Sequence, residues 1–231
     1  MEDSSEIKEQ IIKNSFWNII NSFINRIGGF ILIILLSRLL MPEGFGKYAL
    51  VMTISLFFIT FSDLGINQTL IRYISLEIDR NNQKAVSYFR YLFRTRFLLT
   101  LLISLVLLIG AYPLSFYIFH DPSLFSYLTV LSLYVFIVSL TGFFESLFFI
   151  KKDVKYISIK ESISLILKIM AIILIGYFII PSYKLAYILF SFVGISLLSF
   201  FLILYFSKSS YSSLFKTGLW NTLRLIWALF V

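Results

Sequence analysis

The sequence predicts an all-α, polytopic membrane bundle, and three observations carry that prediction. The 231 residues are 59% hydrophobic with only 14% charged, where a soluble domain has about 25% charged residues. Apolar stretches of membrane-crossing length recur along the chain, a span needing roughly 20 residues to cross about 30 Å of hydrocarbon. Basic residues gather in alternate loops, the pattern that orients membrane helices.

Six stretches qualify as spans: Phe16 to Leu40, Phe45 to Leu64, Phe97 to Phe119, Leu124 to Ile150, Ser162 to Ile180, and Leu185 to Phe206. The tail 1–13, MEDSSEIKEQIIK, is as acidic as it is basic, and the apolar run behind it is too long for a signal peptide. The first helix is therefore expected to be retained. A seventh apolar run opens near Leu219 and continues to Val231. The expected organisation is a cytoplasmic tail (1–13), a six-helix lobe (14–206), a linker (207–218) and the start of a seventh helix cut short (219–231).

The tail and even-numbered loops hold 15 Lys and Arg, including Arg72, Arg80, Lys84, Arg90, Arg94, Arg96, Lys151, Lys152, Lys155 and Lys160. The remaining loops hold three: Arg38, Lys47 and Lys184. This bias places the N-terminus and the even loops in the cytoplasm of an inner-membrane, multi-pass protein. It also accounts for most of the net charge of +8, so nucleic acid is not an expected partner. Residues 82–96, rich in Arg and Tyr, are expected to form a short interfacial helix before the third span, anchored on membrane lipids.

The first span carries Asn14, Asn18, Asn21 and Asn25 at spacing i, i+4, i+7, i+11. On a helix these fall within an arc of about 60°, and Ser22 and Arg26 widen the polar face. Such a face must line a wet cavity or pack on polar helices, because amides and guanidinium groups are costly in hydrocarbon. Gly28 and Gly29 follow and permit close helix approach. Glu161, Ser164 and Lys168 share a face of the fifth span, and Glu145 lies near the end of the fourth. Asn18, Asn21, Asn25, Arg26 and Lys168 are the substrate-cavity candidates, and Glu145 and Glu161 the candidates for coupling or ion pairing. A cavity rimmed by Arg and Lys suits phosphate or diphosphate oxygens.

No cysteine is present and His120 is the sole histidine, so no catalytic residues, metal site or cofactor are expected. His120 and Asp121 would be the centre of a membrane acyl- or glycosyltransferase, the reading of another class, but Asp121-Pro122 reads as a turn. Lys13-x3-Trp17-Asn18 recurs as Lys216-x3-Trp220-Asn221, 203 residues later. That recurrence suggests a parallel internal repeat of six-helix lobes.

The segment 36–49, LSRLLMPEGFGKYA, resembles the first external turn of polysaccharide-type flippases, the O-antigen and capsule-unit transporters. These belong to the superfamily that includes multidrug and toxin (MATE-like) extruders. Ser37, Arg38, Leu39, Leu40, Pro42, Glu43, Phe45, Gly46, Tyr48 and Ala49 match that turn, while Met41 stands where Gly is usual. Asp63-Leu64-Gly65-Ile66 and Thr69 to Tyr73, with Arg72, resemble the cytoplasmic exit of its second helix. The resemblance implies a two-lobe carrier of polyprenyl-diphosphate-linked oligosaccharides, needing no cofactor and working beside other polysaccharide-assembly membrane proteins. It also implies that Arg26 and Lys168 face the cavity and that Arg38 lies near the outer release point. A drug exporter of the same fold is the nearest alternative.

Overall fold

The computed structural model describes residues 4–77, 82–150, 153–180 and 183–210, with the backbone alone for 4–21, 82 and 208–210. The expected interlobe linker beyond Ser210, the seventh run and the second copy of the Lys-Trp-Asn motif lie outside the described residues.

The described chain is helical almost throughout. In order it forms α1 (Ser4–Asp63), α2 (Ile66–Glu77), α3 (Asn82–Pro113), α4 (Ser123–Ile150), α5 (Lys155–Phe178) and α6 (Lys184–Ser210). A π-helical turn, Leu114–Ile118, extends α3. Five apolar helical runs are long enough to cross a membrane, the first spanning Ser22–Glu77.

That first run folds back on itself. Met41 has φ 59° and ψ 171°, which splits α1 into a limb of residues 4–40 and a limb of 42–63. Asn25 of the first limb and Asp63 of the second line the same cavity. At the other end, Leu39 touches the site of a side chain at Gly176, and Lys47 reaches Asp121. The portion 22–40 and the second limb are roughly 28 and 33 Å long, each enough to cross hydrocarbon. The turn is tighter than the expected connection, residues 41–44 between the first two spans. Met41 alone leaves helical geometry, and Pro42 sits at the first position of the next helix, where its missing N–H costs nothing. A positive φ is the conformation glycine adopts most easily, which explains why glycine is usual in the motif Met41 interrupts.

The expected short helix 82–96 is corrected. Residues 82–96 are the first half of the continuous helix α3, since no Gly or Pro interrupts the chain between Asn82 and Leu108. The separate short helix is α2 instead. Gly65 at φ +77° turns the chain into it, and the Asp63 carboxylate accepts a bond from the Asn67 N–H at 3.3 Å. Its Ile66, Leu70 and Ile74 are buried at spacing i, i+4, i+8, facing a core that includes Phe89, Phe93, Phe143, Phe144 and Phe148.

α4 is the central helix, with more than half of its most apolar window buried, whereas α5 keeps most of its surface open. A second core, around Leu36, Val51, Leu107, Leu128, Val135, Leu189 and Phe192, fills the half of the bundle away from α2. The first limb of α1 and α5 run parallel in constant register. Asn25 meets Glu161, Gly28 meets Leu165 and Leu39 meets Gly176, offsets of 136 or 137 residues. A side chain at Gly28 would have its Cβ 2.3 Å from the Leu165 Cδ2, so glycine is what lets the two helices approach.

Candidate functional site

A cavity of about 1050 Å³ opens within the bundle at the end that carries α2 and the basic loops. It is walled by both limbs of α1 and by α4, α5 and α6, with Arg96 of α3 and Asn67 of α2 at its edge. The polar residues enter in pairs, and each pair joins different helices.

Arg96 is 2% exposed. Its guanidinium donates to the Ser62 carbonyl, to the Asp63 carboxylate at 3.2 Å, and to the Ser139 carbonyl at 3.0 Å. The Ser62 hydroxyl donates to the Ser139 hydroxyl at 2.8 Å beside it. This one side chain thereby fastens the end of α1 to α3 and α4. Lys160 of α5 donates to Glu145 of α4 at 2.5 Å. Asn25 of α1 donates to Glu161 of α5 at 2.9 Å, and Ser164 of α5 lies 2.5 Å from Ser199 of α6.

Lys168 is set apart from these pairs. It lies about 20 Å along α5 from Lys155, in the depth of the cavity with Tyr134 and Ser196. Its ammonium stands 5.3 Å from the centre of the Phe192 ring. Among the described residues no carboxylate is within ion-pair distance of it. A cation–π contact contributes about 0.5–2 kcal/mol, far less than the hydration an ammonium gives up on burial.

The candidates named from the sequence divide sharply. Asn25, Asp63, Gly65, Glu145, Glu161 and Lys168 converge on the cavity. The side chains of Asn18 and Asn21 lie outside the described residues. Arg26 is exposed and absent from the lining, because one residue past Asn25 turns it about 100° away. Arg72 lies on the exposed face of α2. Arg38, Pro42, Glu43 and Gly46 belong to the opposite end. There Lys47 bonds Glu43 at 3.2 Å and Asp121 at 3.1 Å, tying the Met41 turn to the start of α4.

The expectation of a rim of cations without carboxylates is also corrected. Arg96, Lys160 and Lys168 share the lining with Asp63, Glu145 and Glu161. Asp63 pairs with Arg96 and Glu145 with Lys160, while Glu161 accepts from the neutral Asn25 amide; among the described residues the lining cation without a carboxylate in ion-pair reach is Lys168. Sequence reasoning missed Arg96 and Lys160 because both adjoin loops and counted as topological charge. Glu145 and Lys160, 15 residues apart across one short loop, were the available signal.

Asp121 takes the role of a turn anchor. The Ser123 hydroxyl and N–H reach it at 2.6 and 3.0 Å. Those bonds, with the Lys47 ammonium, hold its carboxyl below the usual carboxylate range. Among the described residues no group of three or more His, Asp or Glu side chains is placed to hold a metal ion.

No curated protein and no solved structure matches the chain. Residues 11–230 match the model of a family described as polysaccharide biosynthesis protein; the chain belongs to that family, and with its helical membrane fold it is a membrane transport protein of polysaccharide biosynthesis.

Proposed function

We propose that this chain is the six-span lobe of a two-lobed flippase, which moves polyprenyl-diphosphate-linked oligosaccharides across the cytoplasmic membrane for O-antigen-type surface glycans. The N-terminus faces the cytoplasm in this reading, so the cavity takes its substrate from the cytoplasmic leaflet and passes it to the external one. The observation that carries the proposal is Lys168, a cation deep in an open cavity whose neighbouring charges are already engaged. A diphosphate meets that need, and the amides and hydroxyls of Asn25, Asn67, Ser164 and Ser199 suit sugar hydroxyls. Transfer between leaflets breaks no covalent bond. It requires two gated states of similar energy and a shielded polar path.

The half-open wall and the exposed faces of α1 and α5 fit a cavity completed by a second lobe, as the Lys-Trp-Asn recurrence suggests. Three carboxylates in the lining favour a second reading, export of organic cations. The pairing of two of them with Arg96 and Lys160, and the presence of Lys168, weigh against it.

The test is complementation of a flippase-deficient cell by the full-length gene. Wild type is expected to restore surface glycan. Lys168→Gln is expected to lower it by roughly tenfold or more, since a charge-assisted hydrogen bond contributes about 1.5–3 kcal/mol. Full restoration by Lys168→Gln, at equal protein level, would sink the assignment.

A further inference from the structure

At the basic-loop end, α2 and the start of α3 form an exposed aromatic and basic surface away from the cavity. The chain from Asp63 to Glu77 runs antiparallel to α3: Arg96 holds Asp63 at one end, and the Tyr73 and Tyr88 rings lie 5.4 Å apart at the other. Asn67 takes the cavity flank of α2, and Tyr73 the α3 flank. Arg72, Tyr73 and Leu76 of α2 and Tyr88, Tyr91 and Arg94 of α3 are exposed, Tyr91 at 70%. Among the described residues neither guanidinium has a carboxylate within ion-pair distance. Glu77 is the only acidic side chain described between 66 and 96. The depth of this surface follows from α3. With its π-helical turn α3 runs from Asn82 to Ile118, roughly 55 Å, well beyond about 30 Å of hydrocarbon. Its exposed Leu98, Leu102, Leu105 and Ile109, at i, i+4, i+7 and i+11, form one lipid-facing stripe. Tyr91 continues that stripe two turns toward the N-terminus, so Tyr91 and Arg94 stand where it passes into the headgroup layer.

We infer that this surface seats an anionic glycerophospholipid of the leaflet at the basic-loop end, its headgroup neutralised by Arg72 and Arg94 and its acyl chains lying along the α3 stripe. Two guanidinium groups without a carboxylate favour a headgroup of net negative charge. A zwitterionic headgroup brings its own ammonium and gains less. Tyrosine suits this depth, with its ring against apolar surface and its hydroxyl toward phosphate and glycerol oxygens. Arg72 leaves α2 toward the N-terminus of that helix, and because α2 is antiparallel to α3 this direction is toward the bilayer. A lipid bridging the two helices braces the edge of the cavity, where Asn67 and Arg96 lie. The inference concerns the lipid-facing side of the bundle and does not depend on what the cavity carries.

The test uses the full chain in phosphatidylcholine nanodiscs holding a trace of phosphatidylglycerol with a photoreactive group at the head of one acyl chain. Labelling is expected to map to residues 69–76 and 88–98. Each cation beside an anionic headgroup contributes roughly a factor of five, so the pair Arg72→Gln and Arg94→Gln should lower labelling about tenfold or more. The pair Arg72→Lys and Arg94→Lys should keep most of it, because charge is what the headgroup needs. Unlabelled phosphatidylglycerol should compete, and added phosphatidylcholine should not. Undiminished labelling in the Gln pair overturns the inference, as does an equal loss in the Lys pair. The same yield from a phosphatidylcholine probe, or labels spread evenly around the bundle, marks ordinary surrounding lipid and overturns it too. Loading a second copy into each nanodisc should leave the labelling unchanged; its loss would give the surface to that copy instead.

Discussion

Arg96 shows what one buried charge does here. It spans three segments through a carboxylate and two backbone carbonyls, so its removal strands Asp63 and loosens the edge of the cavity. Breaking a buried pair costs about 3–5 kcal/mol, and the partial exposure of Asp63 reduces that. Arg96→Met is expected to lose about 2–4 kcal/mol, read as a shifted midpoint in detergent unfolding; Asp63→Asn, which keeps the carbonyl contacts, should lose less. At the other end, Asp121 makes a pH-dependent anchor. Its native carboxyl loses its proton below the ordinary range, first because of the Ser123 hydroxyl and then because of Lys47. Its contribution is therefore complete above the ordinary carboxylate pKa and is lost as the pH falls through the lowered native value. The hydrogen-exchange protection of residues 119–124, taken relative to the intrinsic rate at each pH, should fall on such acidification, and Lys47→Met should weaken that response.

Among the elements, the parallel pair of α1 and α5 governs the shape of the cavity. Leu165 enters the notch at Gly28, and Leu39 closes on Gly176. Gly28→Ala is expected to cost about 1–3 kcal/mol through overpacking. The Leu165 tip is the atom that must yield, so Gly28→Ala with Leu165→Ala should cost clearly less than the sum of the two changes; strict additivity would show that the register is wrong. The Gly28-Gly29 pair announced a close helix contact in the sequence, but nothing local named its partner 137 residues away. Spans and polar faces were similarly legible from periodicity: Asn25, Glu161 and Lys168 emerged from spacing alone. Which of two adjacent polar residues faces inward was not legible, because the azimuth of a helix is set by its neighbours. Asn25 points to Glu161, and Arg26 points away. Chain reversal at Met41 needed only apolar lengths and Pro42, whereas the continuity of α3 through residues 82–96 was masked by its amphipathic, Arg-rich face.

Over the whole molecule, the two ends carry different chemistry. The basic-loop end holds the open cavity with its engaged carboxylates and Lys168. The opposite end is packed by aliphatic core and fastened by the Lys47 cluster. A carrier loaded from the cytoplasm needs this asymmetry, open on one side and closed on the other. These 231 residues contain no cysteine, so an introduced thiol is the single one among them. Thr60 lines the cavity from an exposed position, and its hydroxyl donates to the Leu56 carbonyl of its own helix. The most direct measurement is therefore modification of Thr60→Cys by a membrane-impermeant thiol reagent, with and without a polyprenyl-diphosphate-linked oligosaccharide. Rapid labelling from the cytoplasmic face, slowed by the lipid-linked oligosaccharide and unaffected by the free sugar, is the expected result. Labelling from the external face alone, or a rate the lipid-linked oligosaccharide leaves unchanged, would contradict it.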